Sequence, residues 1–304
     1  MPRSWWVLLL LVSVCQGGHA QPPARQWSVG PIVGAHMPNL NDLNQGLFRS
    51  PLFGYGEFQV DGATQDAQTV TFHFEPTLPE FKVATKAGFQ VQWQPNPRHA
   101  LVLGLATSET TTSTRFNGEL PVQQQMAVFE GERRGKLSYT EYTVGWRFNI
   151  VDKGALRLYS RLTAHEMFDI DYREDFVFNF QGGELDGVRR IMVLQAQTAA
   201  LFTAGATLGG EWRFNDWFSL ALEGGYLLGA SHPTMKDATI RTDVTATDRL
   251  NFEGQPFGAL PDGTLGYLPA GTTRDEYRNG RADYQRLNLS FDGWQALIRF
   301  AIHY

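Results

Sequence analysis

The chain has 304 residues, a length that is enough for one large domain, and its formal net charge is -5. It lacks the general basic field of a nucleic-acid-binding protein, so nucleic acid is not an expected partner. Hydrophobic residues make up 42% of the sequence. That fraction is too low for a bundle of membrane helices, but it suits a membrane protein built from strands whose residues half face water.

The first twenty residues differ from the rest and resemble an export signal. Arg3 precedes a mostly apolar run, Trp5–Val14, which is too short to span a bilayer and about right for a signal-peptide core. Small residues at the end of this stretch predict cleavage after Ala20. The predicted organisation is therefore a signal peptide at 1–20 and a single domain at 21–304.

Cys15 is the only cysteine of the chain. It could be lipidated, but Val14 before it is a poor match to the small residue that lipoprotein processing requires. With cleavage after Ala20, no cysteine remains for a disulfide bond.

The region that follows the signal peptide is predicted to contain three strands and one segment with helical spacing. A first strand is predicted at 27–36, although Pro31 weakens it. Residues 37–52 carry leucines at helical spacing, which predicts a short helix or compact loop, either an extracellular cap or a plug. Two further strands are predicted at 53–60 and 67–75.

Alternation with a period of two becomes clear from residue 82 onwards. The predicted strand 82–94 is longer than the ~5–6 residues typical of soluble sheets and matches the ~9–11 needed to span a membrane. After a turn at 95–98 the chain returns through 99–114. One face of 82–94 is apolar or small throughout: Val83, Thr85, Ala87, Phe89, Val91 and Trp93.

The same hairpin pattern recurs twice and ends in a last strand. Predicted strands follow at 136–149, 155–169, 197–214, 217–231 and 290–304. Trp93, Trp146 and Trp212 each precede a short turn, and Tyr304 ends the sequence. Aromatic side chains at one height on several strands predict an interfacial girdle. The connections at the other end, roughly 117–135, 170–195 and 233–289, are predicted as long polar loops.

The last strand, Trp294–Tyr304, has an apolar face and a partly charged face. Together with the girdle, the signal peptide and the asymmetry of the turns, it resembles the closing strand of the bacterial outer-membrane β-barrel class. That resemblance implies an all-β, transmembrane, antiparallel up-and-down barrel of about ten strands, with 8–12 possible. A hidden hairpin near Ala238–Thr245 would give twelve.

The resemblance also implies a location in the outer membrane. The expected partners are outer-membrane lipids and lipopolysaccharide, and the barrel-assembly machinery through Trp294–Tyr304. A secreted soluble β-barrel that binds an apolar ligand stays an alternative, because soluble strands alternate too.

Ten charged residues fall on the predicted inner face of the strands. They are Lys82, Lys86, Glu141, Arg147, Arg157, Arg161, Glu211, Arg213, Glu223 and Arg299. One interpretation is a network of ion pairs that fills and stiffens the interior. The other is a narrow polar passage for small solutes, with a slight preference for anions because the cations outnumber the carboxylates.

The extracellular rim offers an enzymatic alternative. His165, Asp169 and Asp171 alternate onto one predicted face, and such residues could activate water as in a protease-like hydrolase. The alternative is a solvated acidic loop, or one that contacts divalent cations bridging lipopolysaccharide. The sequence around His165 is not H-E-x-x-H, and no G-x-S-x-G, phosphate-loop or dinucleotide motif occurs, so neither a metal nor a cofactor is predicted. The leading hypothesis is a non-enzymatic barrel that acts as a small-solute passage or as a structural or surface element.

Overall fold

A computed structural model describes most of the chain after residue 25. The described residues are 26–49, 57–60, 68–71, 77–122, 125–229, 233–244, 250–253, 258–269, 271–273, 276, 279, 281 and 283–304. The predicted signal peptide at 1–20, with Cys15, lies outside them.

The described part of the chain forms sixteen strands, numbered in chain order. They are β1 Trp27–Pro38, β2 Glu57–Val60, β3 Gln68–Thr71, β4 Ala84–Asn96, β5 His99–Val122, β6 Gln125–Lys153, β7 Leu156–Gln181, β8 Arg189–Thr198, β9 Leu201–Arg213, β10 Phe218–Gly229, β11 Lys236–Val244, β12 Leu250–Glu253, β13 Gly258–Ala259, β14 Leu265–Tyr267, β15 Gln285–Arg286 and β16 Gly293–His303. Short helical turns occupy Asp42–Gly46, Leu47–Arg49 and Gly183–Leu185. None of the helices in the described ranges is long and apolar enough to cross a membrane.

Eight of these strands close into a ring in which every neighbour is antiparallel. The order around the ring is β1, β4, β5, β6, β7, β9, β10 and β16, and the pairing of β16 with β1 closes it. The ring therefore has eight strands, at the lower end of the predicted range and two fewer than the expected ten. Closure leaves no sheet edge around the ring, which a strand-built membrane protein requires.

The two strands missing from the ring are those predicted at 53–60 and 67–75. The described part of each, β2 and β3, pairs with the other and with β12 in a separate small sheet, outside the ring. β1 instead pairs directly with β4, from Trp27 with Trp93 to His36 with Ala84.

Three ring strands, β5, β6 and β7, extend far beyond the length a membrane needs. β5 has 24 residues and β6 has 29, and their pairing continues to Val122 with Gln125. The prediction of long loops at 117–135 and 170–195 was therefore wrong over most of both stretches. Polar residues on the outer face looked like loop sequence, but they continue the alternation of the strands below.

The extended hairpins form what we call the projecting sheet: β5 from 110, β6 up to 138, β7 from 170, and all of β8 and β11. β11 pairs with β8, from Lys236 with Gln197 to Val244 with Arg190. The strand predicted near 238–245 therefore exists, but it adds to the projecting sheet and not to the ring.

An apolar core lies against the inner face of the projecting sheet, and we call it the projecting core. Residues 40–48 supply Leu43 and Phe48, and the sheet supplies Phe176 and Phe178, all buried. Phe48 packs edge-on against Phe81, with ring centroids 4.9 Å apart. Within the segment predicted at 37–52, residues 42–49 form a pair of short helical turns that covers the extended end of the ring.

Within the ring the polarity is reversed, with apolar side chains outside and polar ones inside. β16 alternates buried and exposed residues along its whole length, and Trp294, Ile298 and Phe300 point outwards. Ten residue steps separate Trp294 from Tyr304. At ~3.3 Å per residue and a tilt of about 40°, the apolar belt is about 25 Å tall, which matches a membrane barrel.

Candidate functional site

The interior of the ring holds nine of the ten charged residues that alternation predicted there, whereas Lys82, which precedes β4, is exposed. Eight of those nine are buried, and Arg213 at the short-turn end is partly exposed. Each strand contributes its inward face because successive side chains point to opposite sides of a sheet. We call this interior the charged lumen, and it is the candidate functional site.

Glu211 is the centre of the largest group in the charged lumen. Its Oε2 lies 2.6 Å from Arg147 Nη1 and 3.5 Å from Arg299 Nη2. His303 Nε2 lies 3.5 Å from its other oxygen. Arg147 also stacks over the ring of Tyr159, 3.6 Å from the centroid. One carboxylate is therefore shared by two arginines that are only 1% exposed.

Glu223 holds a second group beside the first. It forms an ion pair with Arg161 and accepts a 2.7 Å hydrogen bond from the Tyr159 hydroxyl. Arg161 also donates through Nη1 to Gln90 Oε1 on β4, at 3.1 Å. Because β4 and β7 are three positions apart in the ring, this arginine reaches across the lumen.

Glu141 organises the upper part of the charged lumen. Lys86 Nζ lies 2.8 Å from Oε2, and His165 Nδ1 lies 2.9 Å from Oε1. The Thr143 hydroxyl donates to the same Oε1 at 3.0 Å. Lys86 also contacts Gln295 on β16 at 3.4 Å. A lysine and a carboxylate here balance each other within one buried cluster.

At the short-turn end of the lumen, positive and negative side chains are not matched one to one. Arg157 Nε lies 2.8 Å from the partly exposed Asp152, and Arg157 Nη1 donates to Gln94 Oε1 at 3.1 Å. Arg213 forms no ion pair with any residue in the described ranges. Asp152 lies between the strands predicted at 136–149 and 155–169, so it was not among the predicted lumen residues. Its pairing with Arg157 across β6 and β7 shows that it is the carboxylate partner of that arginine.

These contacts together bridge the lumen with side chains. They join strands two or three positions apart in the ring, such as β6 with β9 and β4 with β7. A ring of eight strands leaves room for little besides its own side chains. The arrangement can therefore hold the wall rigidly, since every cation and carboxylate named above except Arg213 contacts a residue on another strand.

The predicted rim site of His165, Asp169 and Asp171 is not assembled. β7 has a β-bulge, because Thr140 pairs with Phe168 while Ser138 pairs with Asp171. Asp169 there has φ 49, a left-handed conformation that aspartate tolerates better than most residues. The bulge reverses the alternation, so His165 is buried in the lumen while Asp169 and Asp171 lie on the outer face.

No group of three or more metal-ligating side chains occurs in the part of the chain that the structure covers. The prediction that His165, Asp169 and Asp171 share one face was wrong because of the bulge in β7, which a strict period of two does not include.

The predicted girdle residues lie on the outer wall towards the short-turn end. Trp93 stacks on Trp27 with centroids 6.0 Å apart, and Trp146 Nε1 donates to His99 Nδ1 at 3.1 Å. Trp212 and Tyr304 are exposed on the same wall.

A second group of aromatic residues lies at the other edge of the apolar belt. Tyr142 stacks on Phe168 at 4.8 Å, and Tyr226 meets Trp294 edge-on at 5.2 Å. The sequence signal for this upper girdle was available, since an aromatic residue recurs about ten positions from the lower one on β10 and β16. The two girdles mark both membrane interfaces.

A closed antiparallel ring, an apolar belt between two aromatic girdles and a charged interior define a transmembrane β-barrel of the bacterial outer-membrane class. The short turns of this class lie on the periplasmic side and the long connections on the extracellular side. The soluble alternative is therefore wrong: a barrel that binds an apolar ligand needs an apolar interior, and this interior is charged.

Comparison with known proteins adds structural neighbours only. No protein-family model matches the sequence, and no curated protein matches it. The outer membrane protein OprG from Pseudomonas aeruginosa has a TM-score of 0.38 at 11% identity, covering 92% of this chain and 96% of OprG. CarO2 from Acinetobacter baumannii has a TM-score of 0.22 at 14% identity, covering 72% and 92%. The outer membrane protease OmpT from Escherichia coli has a TM-score of 0.26 at 8% identity, covering 92% and 96%. At these scores none of them assigns a function to this chain.

Proposed function

We propose that this protein is a closed outer-membrane anchor that carries the projecting sheet and projecting core at the cell surface, as a structural or surface-binding element. The proposal is non-enzymatic and needs no cofactor. Two observations support it. The first is the set of side-chain contacts that cross the charged lumen, and the second is the apolar layer above those contacts.

The apolar layer is the observation that carries the proposal. Met167, Leu201 and Leu227 point inwards from ring strands directly above the Glu141 cluster, and they belong to the same buried cluster as Phe48 and Phe81. The projecting core therefore begins inside the mouth of the barrel. A charged or polar solute on the barrel axis would have to lose its hydration to cross this layer, at a cost of several kcal/mol.

Conductance of the purified protein in a planar bilayer tests the proposal. A closed anchor gives no step current in 1 M potassium chloride at either polarity, whereas a known porin inserted under the same conditions does. Reproducible current steps from the folded protein, lost after heat denaturation, would contradict a closed anchor.

A narrow passage for small solutes is the second candidate. The observation that favours it is the polar lumen itself, whose periplasmic half carries more cations than carboxylates. This candidate expects current steps whose reversal potential in a salt gradient reports preference for the anion. The same bilayer recording therefore separates the two candidates.

A further inference from the structure

The periplasmic half of the charged lumen holds more positive than negative charge. Its cations are the five arginines Arg147, Arg157, Arg161, Arg213 and Arg299. The carboxylates that face them are Glu211, Glu223 and Asp152. Five guanidinium groups against three carboxylates leave an excess of two positive charges among the described side chains. Above them, Lys86 and Glu141 neutralise each other beside His165, and Tyr159 and His303 are further titratable neighbours.

Loss of protons cannot remove this excess. A buried lysine or histidine can become neutral, but arginine stays charged in proteins. An uncompensated charge away from bulk water is strongly unfavourable. Arg147 and Arg299 lie at the depth where that cost is greatest, since each is 1% exposed. Glu211 supplies one negative charge for the two of them, and a counter-ion from outside the chain would supply the other.

The hydrogen-bonding groups of this region have the same bias. Donor nitrogens that are buried and without an acceptor among the described residues are Gln90 Nε2, Arg147 Nη2, Arg161 Nε, Arg213 Nε and Arg299 Nε. Oxygens without a hydrogen bond are fewer: Glu211 Oε1 and Glu223 Oε2 lie in ion pairs, and the Thr207 hydroxyl has no partner among the described residues. The unpartnered atoms that face the arginines are therefore mostly donors, which an anion could satisfy and a cation or an apolar guest could not.

The site opens towards the periplasm. Arg213 is partly exposed at that end, and the side chain of Asp152 beside Arg157 is 34% exposed. The opposite end is covered by the projecting core. An anion would therefore enter past Arg213 and meet the deeper arginines next.

We propose that the periplasmic half of the charged lumen binds a small oxyanion of the phosphate class, held by Arg213 and the unpartnered guanidinium nitrogens behind it. Guanidinium groups match the geometry of phosphate and carboxylate oxygens with paired hydrogen bonds. This site goes beyond the anchoring function and does not depend on it, because an anion can bind in a barrel that conducts nothing.

Calorimetric titration of inorganic phosphate into the folded protein in maltoside micelles tests the proposal, with ionic strength held constant by sodium chloride. Wild type takes up phosphate saturably. Arg213→Gln removes a cation that has no carboxylate partner among the described residues, and it weakens binding at least about tenfold, since hydrogen bonds to charged groups are the strong ones. Arg173→Gln, on the outer face of the projecting sheet, is the matched control and keeps wild-type affinity.

Ser219→Asp supplies the missing carboxylate from the protein itself. Ser219 pairs with Arg213 across β9 and β10, and its hydroxyl lies 2.8 Å from His303 Nε2. Phosphate raises the unfolding temperature of wild type by mass action, whereas Ser219→Asp unfolds higher without phosphate and no longer responds to it. Absence of saturable phosphate binding by the folded wild type, or a wild-type response of Ser219→Asp, overturns the proposal.

Discussion

The barrel has the opposite polarity to the projecting unit, by which we mean the projecting sheet together with the projecting core. In the ring, Leu208 and Phe300 face outwards while Arg147 and Glu211 are buried. In the projecting unit, Phe176 and Phe178 are buried while charged side chains such as Arg134 are exposed. Both are built from the same continuous strands, because β5, β6 and β7 run through the two regions without interruption.

The difference shows that surroundings, and not strand length or pairing, decide which face of a strand is apolar. Below the upper girdle the outer face meets lipid, so apolar side chains belong there. Above it the outer face meets water, so the apolar side chains move inwards. The bulge at Asp169 marks this change on β7, because it reverses the alternation at the level where the surroundings change.

Buried ion pairs occur in both regions and differ in number. Among the described residues, the projecting core contains one such group, in which Arg133 pairs with Glu174 and Tyr172 donates to Glu174 Oε2 at 2.6 Å. Burial raises the pKa of Tyr172 well above its ordinary value, with the neighbouring Glu174 charge adding to the effect. The charged lumen instead consists largely of such groups, so its stability should depend on carboxylates more than on apolar packing.

The largest effect is expected when the central carboxylate of the lumen is removed. Glu211→Gln leaves Arg147, Arg299 and His303 without their shared partner, and breaking a buried ion pair costs about 3–5 kcal/mol. Urea unfolding of the protein in lipid vesicles, followed by tryptophan fluorescence, measures the loss. Glu109→Gln is the control, because Glu109 pairs with Lys136 on the exposed outer face. Equal midpoints for the two variants would contradict the central role of Glu211.

A comparable but local effect is expected in the projecting core. Phe176→Ala opens a cavity beside buried neighbours, and such truncations cost about 3–5 kcal/mol. The ring should stay folded, as judged by its heat-dependent gel shift, while the projecting sheet becomes sensitive to added trypsin. Val128→Ala, on the exposed face of the same sheet, provides the comparison. Loss of the gel shift together with trypsin resistance would show that the two regions do not unfold separately.

A charge placed in the apolar belt should have an intermediate effect. Leu208 is 67% exposed and lies on β9, midway between Phe202 and Phe214, the residue that follows the strand. Leu208→Arg should cost about 2–4 kcal/mol at the bilayer midplane. Thr111→Arg introduces the same charge on the outer face above the belt, where water surrounds it, and should leave the urea midpoint unchanged. A similar cost at both positions would place residue 111 in lipid.

The smallest effect is expected at an exposed ion pair of the projecting sheet. Arg173 contacts Asp175 at 2.8 Å with both side chains partly exposed. Arg173→Gln should change the unfolding free energy by less than about 1 kcal/mol, and the change should shrink as salt is added. A loss as large as that of Glu211→Gln would mean that this face is shielded from water.

Much of the barrel could be predicted from sequence because lipid and lumen impose a strict alternation. The eight ring strands, the inward charges and the lower girdle all follow from that period. The projecting hairpins could not be predicted in the same way, since Ser113 and Asn117 carry polar side chains that strands and loops share. The bulge at Asp169 left no clear sequence signal, because aspartate is also common in ordinary turns. The partners of the arginines depend on which strands meet across a closed ring, and that is a property of the fold.

The reversal of polarity between ring and projecting unit is the central claim, and spin labels at two positions test it most directly. Cys15 is the only cysteine, so Leu208→Cys and Thr111→Cys can be labelled singly after Cys15→Ser. In lipid vesicles, the label at 208 should collide more with oxygen than with a water-soluble nickel complex, and the label at 111 should show the opposite preference. The same preference at both positions would contradict the claim that the belt ends between them.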